Sequence, residues 1–332
     1  MKLLFNLLFA GFLLLPGKGI ATTPEIKEVN GFVDYMVSTY NFDRNELQLL
    51  FNKANKSERV LAAISKPAEA LPWYKYRPLF LQPDRIKQGL AFWKKYESIL
   101  KRAETEYGVP ARYIVAIIGV ETRYGANKGN DRVIDALYTL AFHYPKRSAF
   151  FINELEQFLL LTREQQINPL SLKGSYAGAM GMPQFIPSSY RNYAVDFDHD
   201  GKIDIWNDPA DAIGSVANYF KEHGWKKGED VVFPGKVTDR KYRDVLDSDM
   251  KPGIPVDKLQ DYGIHYEEKI SPGTFVNVIS LDGKEGDEIW LGLNNFYVIT
   301  RYNHSPLYAM AVYQLAEAIQ NKYLNNNVAK NR

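Results

Sequence analysis

Cysteine is missing from all 332 residues. That absence excludes disulfide frameworks, thiol nucleophiles, cysteine-ligated zinc or iron-sulfur clusters, and every lipid anchor that needs a cysteine. An excess of charge of one sign is missing too. With 41 Lys plus Arg against 39 Asp plus Glu, the formal charge is +2, so the chain has no basic surplus of the size nucleic acid demands. Histidine is scarce, and its positions at 143, 199, 223, 265 and 304 show no paired spacing of the kind zinc needs. Gly-x-Ser-x-Gly does not occur. The string Ser98-Ile-Leu-Lys101 matches SxxK but lies inside an amphipathic helical pattern with no Lys-Thr-Gly partner, and is a chance match. At 45% hydrophobic and 24% charged, the chain is globular material for about two domains, which rules out collagen-like, disordered and multi-span membrane classes.

At the start, Lys2 precedes an apolar run from Leu3 to Pro16, with Gly19 and Ala21 just before Thr22. This pattern predicts a secretory leader over 1–21, cleaved near Ala21. The alternative is a membrane anchor, although the run is shorter than the roughly 20 residues that span a bilayer. Loss of Lys2 and Lys18 would take the formal charge from +2 to 0. With no cysteine at the cleavage site, the expected form is a soluble periplasmic or secreted protein without a stable membrane anchor.

Helical spacing marks Phe32 to Ala63, and Pro67, Pro72, Pro78 and Pro83 then punctuate an aromatic stretch holding Trp73, Tyr74, Tyr76 and Phe80. One amphipathic helix is predicted from Pro83-Asp84 through Ile86, Leu90, Trp93, Leu100, Ala103 and Tyr107 to Gly108. A second runs from Pro110 to about Tyr124. It is apolar on most of its circumference and therefore central to the core. Further helices are expected at Arg132 to Tyr144, Ser148 to Thr162, Asp208 to His223 and Pro306 to Tyr323. Between them, β-like runs at Val231 to Val237, Phe275 to Leu281 and Glu288 to Leu293 predict a small β-rich module inserted into a helical protein.

Four segments carry candidate chemistry. In Asp196-Phe-Asp198-His-Asp200-Gly201-Lys202-Ile-Asp204-Ile-Trp-Asn207-Asp208, oxygen side chains at positions one, three, five and nine, with Gly at six, follow the EF-hand loop. Asn207 replaces the bidentate Glu of position twelve, and Asp208 follows it. Either Asp208 reaches in through a lengthened loop or the site is weak, and an acidic turn held by Asx bonds is the simpler alternative. In Gly119-Val-Glu121-Thr-Arg123-Tyr-Gly125, a carboxyl on the last turn of an apolar helix is desolvated and faces the negative dipole end. Such a group stays protonated near neutrality and suits a general acid, unless it is an exposed helix-end Glu paired with Arg. The small-residue run Gly174-Ser175-Tyr-Ala-Gly-Ala-Met-Gly181-Met-Pro-Gln184 offers either a polar binding wall or tight packing. Asn295-Phe-Tyr297 with Arg301-Tyr302-Asn-His-Ser305 reads as carbohydrate recognition or as a Tyr-rich packing strand.

In these blocks, with Pro72-Trp-Tyr-Lys-Tyr76 and Asp211 to Phe220, the sequence resembles the lytic murein transglycosylase B family, in family order from about Trp73 to Gln320. The resemblance implies a mainly helical α+β fold. It has a lysozyme-like core with an EF-hand-like calcium loop, an N-terminal helical domain and a small inserted β-rich domain. The expected boundaries are 22–83 for the N-terminal helical and aromatic segment, 84–230 for the core with its loop at 196–208, 231–294 for the β-rich module, 295–325 for the returning core and 326–332 for the tail. It further implies Glu121 as sole catalytic acid/base, sugar contacts at Tyr76, Ser175, Gln184, Tyr219, Tyr297 and Tyr302, and structural calcium on Asp196, Asp198, Asp200, Lys202, Asp204, Asn207 and Asp208. No organic cofactor and no nucleic-acid partner are expected.

The implied substrate is the peptidoglycan glycan strand, cut between N-acetylmuramic acid and N-acetylglucosamine without water, leaving 1,6-anhydro ends. The missing lipobox Cys departs from anchored members and resembles soluble ones. Two other readings remain at this level: a hydrolytic muramidase with a second carboxylate, and a noncatalytic peptidoglycan-binding protein.

Overall fold

Residues 28–65, 71–247 and 249–330 are described in a computed structural model; the expected leader at 1–21 lies outside them. The chain divides into two compact units, Met1–Ala68 with Gly125–Ser215, and Glu69–Tyr124 with Val216–Arg332.

The first unit opens with helices Val29–Tyr40, Arg44–Phe51 and Glu58–Ile64. Asp43 and Ser57 cap the latter two by accepting the N–H groups of Glu46 and Val60, which satisfies donors that a helix start leaves free. Phe32 is fully buried and sets its ring edge-on to Phe51 and Phe142, at 5.9 and 6.1 Å between centroids. These contacts seat the first helices on Val133–His143, which packs in turn on Ser148–Glu164. A two-residue antiparallel ladder, Asp131–Arg132 with Lys173–Gly174, leads into the small-residue run. There Gly181 takes φ 70°, and a Cβ on it would lie 2.6 Å from the Ile205 carbonyl oxygen, so only glycine fits.

At the centre of the second unit is the helix Ala111–Thr122, buried from Tyr113 through Thr122 as its all-round apolar character predicts. It packs on Pro83–Lys95 and on Pro306–Lys330. The single helix expected from Pro83 to Tyr107 is two, Pro83–Lys95 and Glu97–Tyr107, because Tyr96 leaves helical geometry at φ −115°, ψ 28°. Its ring stays within 4.8 Å of Phe92, and beyond the break Leu100 and Ala103 are fully buried. Gly108, at φ 75°, ends the pair as expected.

The β-rich part is a five-stranded antiparallel sheet in the order Ile254–Pro255, Phe275–Asp282, Asp287–Gly292, Val232–Val237, Ile264–His265. One face buries Val276, Val278, Ile289 and Leu291 against Leu259 and Tyr242. The chain then returns to helix at Asn294–Tyr302, where the sequence offered a strand; its aromatic and β-branched residues imitate strand composition while Phe296, Ile299 and Tyr302 are buried at helical spacing. The proline-rich aromatic stretch is a single short turn of helix, Trp73–Tyr76, followed by a 3₁₀ turn, Arg77–Leu79. Trp73 fixes it by donating its indole N–H to Glu288, at 3.1 Å.

Candidate active site

Glu121 sits one residue from the end of the central helix and is 7% exposed. The helix stops because Arg123 and Tyr124 both turn left-handed, at φ 52° and 60°, while the Arg123 N–H reaches the Gly119 carbonyl and the Tyr124 N–H the Ile118 carbonyl. Gly119 lacks a Cβ where the Tyr124 ring passes at 2.6 Å, and Tyr124 donates to the Arg85 carbonyl at 3.0 Å. This tight stop holds the last turn, and Glu121 with it, in one position.

Burial pushes the Glu121 carboxyl up to about 8, partly offset by a hydrogen bond in which the Tyr308 hydroxyl donates to Oε1 at 2.6 Å. Tyr308 stands near the start of the last helix and is fully buried. Its phenol is raised by burial and then by the charge of Glu121, with Tyr302 and Tyr76 adding to the effect. Tyr302 is raised by burial, by Glu121 and by Tyr219. Tyr302 and Tyr308 therefore act on the carboxyl directly, with Tyr219 behind Tyr302 and Tyr76 behind Tyr308. Tyr219 sets its ring 4.8 Å from Tyr302, stacks on His223 at 3.9 Å, and donates to the Arg301 carbonyl at 2.6 Å.

Tyr297 belongs elsewhere in the second unit. It is half-buried, carries the Arg301 guanidinium 4.1 Å over its ring, and lines a cavity of about 630 Å³ with Asn294, Phe233 and Thr274.

In the first unit, the Ser175 hydroxyl oxygen accepts the N–H groups of Ala177 and Ala179, at 3.2 and 3.1 Å, which folds the small-residue run on itself. Gln184, left-handed at φ 55°, donates its amide N–H to the carbonyls of Gly181 and Lys128. The acidic loop lies in this unit too. Ligand atoms of Asp196, Asp198 and Asp211 fall within 4.8 Å of one another. Desolvation and the neighbouring carboxylates Asp208, Asp200 and Asp196 raise Asp198; burial, with Asp208 and Asp198, raises Asp211. Asp211 also accepts the N–H groups of Phe197 and Asp204, both at 2.7 Å. Asp204 spends its carboxylate on Trp206 and Asn207, and Asp208 accepts the Ala210 N–H at the start of Pro209–Glu222.

The family described as Transglycosylase SLT domain matches residues 25–317. The chain belongs to this family. The transglycosylase is 43% identical over 334 residues to membrane-bound lytic murein transglycosylase B of Escherichia coli K12, covering 93% of this chain and 88% of that protein. It superposes with a TM-score of 0.84 on soluble lytic transglycosylase SltB1 from Pseudomonas aeruginosa, at 52% identity over 89% of this chain and 98% of that one. The Escherichia coli lytic transglycosylase Slt35, solved in complex with calcium, matches with a TM-score of 0.82 and 44% identity over 89% of this chain and 93% of that one. Its mainly helical fold with a β-sheet is thus that of the lytic transglycosylases, as expected from the sequence.

Within this transglycosylase, Tyr302 and Tyr308 act on Glu121, Tyr219 packs on Tyr302, Tyr76 acts on Tyr308, and Tyr297 lies apart. Two residues escaped sequence reasoning. In the sequence Tyr308 is only one position of the helix expected over Pro306 to Tyr323, and Asp211 only the start of a block that carries the resemblance. For Asp211 a signal existed: its place three residues after Asp208, in the first turn of the helix following the loop, aims a carboxylate back toward that loop.

Proposed function

We propose that this chain is a lytic transglycosylase that cuts the β-1,4 bond between N-acetylmuramic acid and N-acetylglucosamine of peptidoglycan, with Glu121 as acid and then base. The observation that carries the mechanism is the buried Glu121 carboxyl, raised to about 8 and held by Tyr308. Protonated at neutral pH, it gives its proton to the glycosidic oxygen as that bond breaks. The carboxylate left behind keeps the Tyr308 hydrogen bond and takes the proton of the muramyl 6-hydroxyl. That oxygen attacks the anomeric carbon, closes the 1,6-anhydro ring, and no water is consumed. A two-carboxylate glycosidase would need a second acid about 5–9.5 Å away. Glu121 is the carboxylate that acts on both Tyr302 and Tyr308, which supports the one-acid reading.

For sugar binding we assign Tyr302, which acts on the acid, with Tyr219 packed on it and Tyr76 acting on Tyr308. Ser175 keeps a hydroxyl proton and Gln184 a side-chain oxygen for hydroxyl or acetamido groups, and Tyr297 is the outlying contact. The loop at 196–208 takes structural calcium: the convergence and mutual repulsion of Asp196, Asp198 and Asp211 suit a hard cation that prefers oxygen. Asp200, the Lys202 carbonyl and Asn207 complete our proposed set, with Asp204 and Asp208 supporting it through the loop backbone. Among the described residues no helix is long and apolar enough to cross a membrane. We place the enzyme in the periplasm, where its substrate is.

Product analysis on purified sacculi tests the reaction. Anhydro-ended muropeptides, lost in Glu121→Gln, are the expected result; reducing ends would favour hydrolysis, and binding without release a noncatalytic role.

A further inference from the structure

The cavity of about 630 Å³ beside Tyr297 is lined by charged side chains that the reaction at Glu121 does not use. They are three lysines, Lys226, Lys251 and Lys269, and the carboxylate of Asp230, with the rings of Phe275 and Tyr297 beside them. Lys226 is paired, 3.6 Å from Glu229. Among the described residues Lys251, Lys269 and Asp230 form no ion pair, so the wall offers two ammonium groups and one carboxylate to whatever enters.

Strand register brings these residues together. Val232 faces Gly292, which faces Asn277 on its other side, and Ile254 faces Val276. The segments that lead into these three strands, carrying Asp230, Lys269 and Lys251, therefore meet at one end of the sheet. Phe275 opens its strand there and is 53% exposed. An aromatic ring left bare beside ammonium groups suits a ligand that has apolar chain as well as charge.

The cavity also adjoins the helix that reaches the acid. Tyr297 and Tyr302 share Asn294–Tyr302, and Tyr302 feels the charge of Glu121. Five residues of helix set the two about 7.5 Å apart along the axis. Three extended peptide residues already span about 10 Å. A short peptide hanging from a sugar bound at Glu121 is thus long enough to enter the cavity.

We propose that this cavity is a subsite for the peptide stem of peptidoglycan, with Lys251 and Lys269 pairing the stem's free carboxylates and Phe275 covering its methylene chain. The charges select the occupant: two ammonium groups against one carboxylate call for a ligand with acids in excess over amines. The stem is the part of the polymer where carboxylates and methylene chains occur together. The inference rests on the peptidoglycan reading above and names the part of the substrate that this face holds.

The test is steady-state kinetics of wild type and the double variant Lys251→Gln/Lys269→Gln on peptide-bearing glycan strands and on strands stripped of peptide. Both lysines are exposed, so the melting temperature, the control for folding, is expected to stay at the wild-type value. KM on peptide-bearing strands is expected to rise about tenfold, the factor that about 1.4 kcal/mol sets, with a smaller effect on kcat and no rise on stripped strands. Lys251→Arg/Lys269→Arg keeps both charges and is expected to retain the wild-type KM. Salt tests the same charges without a variant: it should raise the wild-type KM on peptide-bearing strands more than on stripped ones, because exposed ion pairs are screened. An unchanged KM in the glutamine variant overturns the subsite, and an equal rise on both strands overturns the stem as its occupant. Wild type that cleaves neither strand would instead sink the peptidoglycan reading, which keeps the two failures apart.

Discussion

The Tyr308 hydroxyl donates a 2.6 Å hydrogen bond to Oε1 of Glu121, joining two helices across 187 positions of sequence. The bond opposes the burial that raises the carboxyl, because it favours the charged form. Removing it in Tyr308→Phe should therefore move the alkaline limb of the kcat/KM profile above its wild-type position near 8. It should also lower kcat roughly 10- to 100-fold, the worth of a hydrogen bond to a charged group of about 1.5–3 kcal/mol. A pH-rate profile of the variant checks both; a limb that stays put would show that the hydroxyl does not act on the acid.

Stability should respond to pH through the same group. The folded-state value of about 8 lies above that of an unfolded Glu, so the native state binds more protons between the two values and stability falls as pH rises through that window. Glu154, buried in the first unit and raised to about 7, acts in the same direction. Glu121→Gln removes the first contribution alone. Its melting temperature should match wild type near pH 4 and exceed it progressively up to pH 8, as measured by calorimetry across a pH series.

Calcium should raise the melting temperature of wild type, since a ligand selective for the folded state must stabilise it. The convergence of Asp196, Asp198 and Asp211 separates these from Asp204, whose carboxylate is engaged by Trp206 and Asn207. Asp198→Asn should abolish most of the calcium-dependent shift, and Asp204→Asn should keep it while lowering the baseline. Equal losses in the two variants would refute that division.

Gly181→Ala should destabilise the first unit by at least about 2 kcal/mol, combining the left-handed penalty with overpacking. Its Cβ would enter the space of the Ile205 carbonyl, which already accepts the Met182 N–H at 2.9 Å. Chemical denaturation of the variant measures the loss.

Much of the helical framework was legible because capping, proline and glycine signals are local. Gly108 ends its helix, and the apolar circumference of 114–120 announces a buried element before any contact is known. Asn294–Tyr302 was not legible as a helix, since its composition also fits a strand and only packing of Phe296 and Tyr302 against helices decides between them. The same holds for Tyr96, where a single residue outside helical geometry redirects two segments that share one apolar pattern.

By itself the sequence singled out Glu121 as a candidate acid, a carboxyl at the end of an apolar helix where desolvation raises proton affinity, with an exposed Glu paired with Arg as the alternative. It also determined an acidic oxygen-rich loop and, by lacking cysteine, excluded thiol and acyl-cysteine chemistry. Only the tertiary structure decided that Tyr308 donates to Glu121 and that Asp211 joins the loop carboxylates. These are contacts between residues distant in sequence, set by helix packing, and no local periodicity carries them.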